Sequence, residues 1–172
     1  MASIIKVDTI QTAAGGTPGL ADLGITGAGT VLQIVESSYT SATSVSSSTY
    51  VDTGMSGSIT PKQASSTILI TPFMNSFKIN GAARTKVKLF RQIAGGGYSE
   101  VEEWNDFMGW SDNTVSSCTP VYKDSPTYTA GQQIDYKLQF ALEAGTATIR
   151  INNASAGGGS ARSNIVLTEI AG

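Results

Sequence analysis

Residues 133–142 read Gln-Ile-Asp-Tyr-Lys-Leu-Gln-Phe-Ala-Leu. Ile134, Tyr136, Leu138, Phe140 and Leu142 occupy alternate positions, against Gln133, Asp135, Lys137 and Gln139. A period of two puts the first set on one face of a β-strand, whereas a helix would scatter it around the axis. Residues 84–93, Arg-Thr-Lys-Val-Lys-Leu-Phe-Arg-Gln-Ile, repeat the pattern, with Val87, Leu89 and Ile93 opposed to Arg84, Lys86 and Lys88. Each run predicts a strand with one buried and one wet face, as antiparallel sheets commonly have. A third run, 147–151, alternates through Ala147, Ile149 and Ile151 after Gly145, so 134–151 is expected to form a hairpin.

Three other runs are apolar on both faces. They are 30–36 (Val31 and Val35 against Leu32 and Ile34), 66–73 (Ile68 and Ile70 against Leu69 and Phe73) and 163–172 (Ile165 and Leu167 against Val166 and Ile170). In a two-sheet sandwich the outer face is normally wet, so a second apolar face predicts contact with another subunit. The expected arrangement is a homotrimer. Eight to ten strand-like runs follow Thr30, separated by turn clusters, and Pro61 and Pro72 are expected at strand ends or edges because they cannot donate to a ladder. The fold class is therefore all-β, an antiparallel sandwich of jelly-roll type.

Composition agrees. Of 172 residues only 14% are charged, 19 are glycine, and Ser and Thr recur throughout, which suits short strands and many turns. The net charge of −2 without clustered Lys and Arg excludes a nucleic-acid footprint. No apolar run approaches the ~20 residues of a membrane span, and the first ten residues lack a secretory pattern, so no membrane insertion is expected and assembly in a host cytoplasm is. Histidine is absent, which removes the commonest general base and metal ligand. Cys118 is the only cysteine, so neither an intrachain disulfide nor a thiolate zinc site can form. No enzyme activity, cofactor or metal is expected.

Residues 1–29 differ from the rest. A short strand-like run, Ser3 to Gln11, precedes a stretch punctuated by Gly and Pro. Too short to fold alone, the run is expected to pair with something outside itself, with Ile4, Ile5, Val7 and Ile10 as its anchoring side chains. The chain thus divides into an attachment arm and linker, 1–29, and a head domain, 30–172.

Several segments together resemble a known family. They are SIIKVDTIQTAAGGTP (3–18), DLGITGAGTVLQIV (22–35), YVDTG (50–54) with SGSITP (56–61) and SSTILI (65–70), and SNIVLTEIAG (163–172). The chain resembles short tail-fibre and virion-appendage proteins of bacteriophages, especially of marine and cyanophage types, whose trimeric jelly-roll head is similar to the tumour-necrosis-factor and C1q folds. The resemblance implies a virion protein, an arm attached to another virion structural protein, and a head projecting toward the host surface. Only about 29 residues precede the head, and an extended arm of that length reaches at most roughly 100 Å. A capsid decoration or head-fibre protein that stabilises or coats the shell fits as well, and a glycan-binding module is the alternative of another class.

Residues 95–113 concentrate Glu100, Glu102, Glu103 and Asp106 beside Tyr98, Trp104, Phe107 and Trp110. Glycosidases use two carboxyls that flank a sugar. Glu100 and Glu102 are expected on one strand face, too close in sequence to do so. A milder reading makes Tyr98, Trp104 and Trp110 contacts for a host glycan or protein; the plainer one puts one Trp in the core and the other over a sheet edge. Asp106, Asp112 and Asn113 match no dedicated calcium loop. The triplets Gly95–Gly97 and Gly157–Gly159 lack the helix and Lys-Ser/Thr pair of a phosphate loop and read as turns. Cys118 reads as a small buried hydrophobe.

Overall fold

The computed structural model describes residues 27–110, 114–152 and 161–172, together with Gly15. Eleven strands lie among them: β1 (Val31–Tyr39), β2 (Thr43–Val45), β3 (Val51–Ile59), β4 (Thr67–Asn80), β5 (Ala83–Ile93), β6 (Ser99–Trp110), β7 (Thr114–Cys118), β8 (Tyr122–Asp124), β9 (Ile134–Gly145), β10 (Thr148–Ile151) and β11 (Ser163–Ile170). Every pairing is antiparallel.

The pairing is nested. β1 joins β11, β3 joins β9, β4 joins β7 and β8, and β5 joins β6. The chain therefore acts as one long hairpin paired from the outside in and rolled up. Rolling brings β11 against β4 and β9 against β5. One sheet runs β1-β11-β4, with β7 and β8 beyond β4 and β10-β2 continuing from its far end; the other runs β3-β9-β5-β6. This is the jelly-roll arrangement of two stacked Greek-key sheets.

The alternating runs point where their period requires. Ile134, Tyr136, Leu138 and Phe140 of β9 are fully buried, as are Val87 and Leu89 of β5. They meet Met55 and Ile59 of β3 and, from the other sheet, Ile68, Ile70 and Met74 of β4 with Ile165 and Leu167 of β11. Each such side chain contributes about 1.5–3 kcal/mol by leaving water. Arg91 shares the inward register of Val87 and Leu89, opposite Tyr136, and meets Asp124 of β8 across the sandwich.

Four expectations are corrected by the register. Residues 134–151 do not form a hairpin: β9 pairs with β3 and β5, whereas β10 pairs with β2 and β4 in the other sheet. Gly145, at φ +90°, carries the chain between sheets, and alternation by itself does not say which strand is the neighbour. Pro72 stands inside β4, opposite Ile165. It is level with the break between β8, which ends its pairing at Ile70, and β7, which begins at Met74, so no donor is needed on that side.

An irregularity between Val31 and Gln33 puts Val31, opposite Ile170, on the Ile34 face instead of the Val35 face. Another, between Leu89 and Phe90, separates Glu100 and Glu102: Glu102 lies opposite inward Leu89, and Glu100 opposite outward Phe90. An extra residue in one strand reverses the faces of everything beyond it.

Candidate functional site

The sandwich offers two outer faces of different chemistry. The three runs read as apolar on both sides are β1, β4 and β11, and they stand side by side with β11 in the middle. Their inward residues fill the core. Their outward residues form a mixed Ile/Val/Leu/Phe and Thr surface: Ile34 is 64% exposed and Phe73 38% exposed, with Leu69, Val166 and Ile170 half-buried between them. Val31, opposite Ile170, extends it. At one end a polar border closes the surface, where Arg162 Nε donates to Ser38 Oγ at 3.0 Å and Asn164 Nδ2 donates to Glu36 Oε1 at 2.9 Å. An apolar centre with a polar rim is how protein interfaces are built.

The outer face of the β3-β9-β5-β6 sheet is polar and aromatic. Lys86 and Lys88 each hold Nζ 4.7 Å from the centre of the Tyr50 ring, and Tyr50 Oη donates to Glu103 Oε1 at 2.5 Å. That hydrogen bond, with the Lys88 charge, lowers the Glu103 carboxyl below the ordinary carboxylate range, while burial and Glu103 push the Tyr50 phenol up. These contacts clasp the start of β3 onto the sheet.

Beside the clasp lies a depression of about 300 Å³ lined by Asp52, Gly54, Met55, Ser56, Tyr98, Lys137 and Leu138. Its origin is local. The β3–β9 register shifts by two residues between Asp52 and Ser56, so β3 bows away from its partner. Thr53 repairs the ladder across the gap, its Oγ1 donating to the Leu138 carbonyl at 2.9 Å and accepting from Met55 N at 3.0 Å. Gly54 makes the bow possible: its φ is +84°, and a Cβ there would fall 2.1 Å from Tyr39 Cζ. Lys137 spans the floor, 3.1 Å from Asp52 Oδ1 and 4.6 Å from the centre of the Tyr98 ring. Gln139 Nε2 donates to the same Asp52 oxygen at 2.7 Å.

The candidate contact residues are thus dispersed. Tyr98 is 42% exposed on the polar face. Trp104 lies opposite Val87, half-buried against the core, its ring 6.3 Å from that of Phe107. The side chain of Trp110, and the arm residues Ile4, Ile5, Val7 and Ile10, lie outside the described residues. Asp52, Ser56 and Lys137 were missed by sequence reasoning. The available signal was Gly54 inside a strand-like run, which marks a bulge. Asp106 forms an ion pair with Arg84 at 3.0 Å, and among the described residues no group of three or more His, Cys, Asp or Glu could hold a metal ion. Cys118 lies inward, opposite Met74, and burial pushes its thiol up to about 12.

No protein-family model and no curated protein matches the chain. Among solved structures, that of infectious bursal disease virus, Gx strain, matches over 83% of this chain and 37% of its own, with a TM-score of 0.35 and 9% identity. The chain therefore spans little more than a third of that protein's length. At such distance the nested strand pairing, and not the likeness, defines the fold.

Proposed function

We propose that the protein is a non-enzymatic structural subunit of a virus particle that self-associates, as a homotrimer, through the outer face of β1-β11-β4. The observation that carries this reading is the exposed apolar surface centred on Ile34, Leu69, Phe73, Val166 and Ile170. Large exposed apolar patches mark association sites, and jelly rolls recur in capsid and lectin domains. The virion setting is supported by the resemblance of residues 3–18, 22–35, 50–54, 56–61, 65–70 and 163–172 to phage appendage proteins. The complete absence of histidine supports a role without catalysis.

In this reading residues 1–29 attach the head to another virion protein, with Ile4, Ile5, Val7 and Ile10 added to that partner's sheet as a strand. A short tail fibre and a capsid decoration both use such an arm and head. Deleting residues 1–12 tests the arm: the expected product is a folded trimer that no longer joins the particle, and incorporation at the normal level overturns it. Copy number in averaged images of whole particles separates the placements, a few copies at the tail meaning a fibre and hundreds on the shell a decoration.

A further inference from the structure

We propose that the depression between the β3 bulge and Tyr98 binds one neutral pyranose ring of a surface glycan, with Tyr98 as the stacking surface and Asp52, Ser56 and Lys137 as partners of the sugar hydroxyls. The site belongs to the single chain and does not depend on the assembly proposed above. It lies on the sheet opposite the apolar face, so association through β1-β11-β4 leaves it open.

Three observations carry the assignment. Size comes first: about 300 Å³ is the lower end of the ~300–1,000 Å³ range of small-molecule sites, suited to one ring and not to an extended peptide. Charge comes second. Asp52 and Lys137 neutralise each other at 3.1 Å, and Asp135, which accepts from Ser58 and Gln133 on the same face, adds a negative charge near Tyr98, so the depression does not favour an anion. What it presents is a compact alternation of acceptor and donor around an aromatic ring. Asp52 keeps acceptor capacity beyond its bonds to Gln139 and Lys137, and Ser56, paired with Lys137 in the ladder, adds an exposed hydroxyl that can both donate and accept. Vicinal hydroxyls, each a donor and an acceptor, match that alternation, and the apolar C–H face of a sugar matches Tyr98.

Third, the depression is built and not accidental. A regular β3 would close it, and three features hold it open: the positive φ of Gly54, the Tyr39 ring packed against that glycine, and the Thr53 hydroxyl bridging Met55 N and the Leu138 carbonyl. Tyr98 reaches it from the turn before β6 and is fixed there by the Lys137 ammonium.

The test is amide chemical-shift titration of the intact chain with the methyl glycosides of glucose, galactose, mannose and N-acetylglucosamine. The expected result is saturable binding of at least one, at millimolar affinity, with shifts at residues 52–56, 98 and 137. Tyr98→Ala and Asp52→Asn should each weaken it about tenfold or more, with melting temperatures near that of the wild type because both side chains are exposed. Trp104→Phe should leave binding unchanged. Absence of saturable shifts with all four sugars, unchanged affinity in Tyr98→Ala, or tighter binding of N-acetylneuraminate than of any neutral sugar would overturn the proposal. An Ile34→Asp variant separates the two proposals, since loss of self-association there should leave sugar binding intact.

Discussion

Arg91 Nη1 lies 2.8 and 2.9 Å from the two carboxylate oxygens of Asp124, and the pair joins the two sheets through the interior of the sandwich. Tyr136 Oη adds a third bond to Asp124, at 2.8 Å. Asp124 is almost fully buried, while Arg91 keeps a fifth of its side chain in water. Removing one member of such a pair strands the other, which costs more than the pair itself contributes. Asp124→Ala should lower the unfolding free energy by about 3 kcal/mol. The double variant Arg91→Met, Asp124→Leu should recover most of it. Urea denaturation of the three chains checks this, and a double variant no more stable than Asp124→Ala would refute it.

The same cluster sets an alkaline limit. Burial first, and the Asp124 charge second, raise the Tyr136 phenol far above its ordinary value. A tyrosine in the unfolded chain ionises near pH 10. The stability tied to the neutral phenol is therefore complete below about pH 10 and is lost as pH climbs beyond it. Tyr136→Phe should cost about 1 kcal/mol at neutral pH and show a shallower decline of melting temperature between about pH 10 and 12. Parallel curves for the two chains would contradict the assignment.

Substitutions on the two faces of β11 should separate assembly from folding. Val166→Lys, or Ile34→Asp on β1, places a charge on the outer face and should give monomers of nearly wild-type melting temperature. Leu167→Ala on the inner face should instead destabilise the fold by about 2–5 kcal/mol. Light scattering and thermal melts read the two effects. A Val166→Lys chain that keeps the wild-type mass would remove the outer face from the interface.

Gly145 tests the passage between sheets. At φ +90° its added Cβ would sit 2.3 Å from the Ala82 carbonyl oxygen, which is backbone and cannot swing aside. Gly145→Ala should cost at least about 2 kcal/mol, measured by the same denaturation, while Gly97→Ala, with open space around it, should be near neutral.

Much of this architecture is written locally. Alternation in 84–93 and 134–142 and doubly apolar runs in 30–36, 66–73 and 163–172 suffice for a sandwich with an unusual outer face, because side-chain direction along a strand has a fixed period. What fails is whatever depends on distant partners. Arg91 sits in the inward series with no mark of its own, and its partner Asp124 is 33 residues away. Glu169 follows Ile165 and Leu167 inward to full burial. There it accepts from Lys62 N, Gln63 N, Ser66 Oγ and Gln33 Nε2, partners more than 100 residues distant in sequence. Bulges are the other blind spot: one additional residue near Leu32, or before Glu102, reverses every later assignment of face. The Asp52–Lys137 depression inherits both difficulties, since it needs a bulge and a neighbour 85 residues on.

The position of β11 between β1 and β4 has a consequence for how the protein is made. During synthesis, β1 and β4 emerge long before the strand that will separate them, and until residues 163–170 arrive each carries an unpaired edge and an apolar flank. Pairing of such distant segments is slow, and unpaired edges invite wrong partners. The nascent chain therefore depends on staying apart from its neighbours until β11 is inserted, the same neighbours it is proposed to join afterwards. Yield of correctly folded chain should thus be governed by the timing of that insertion.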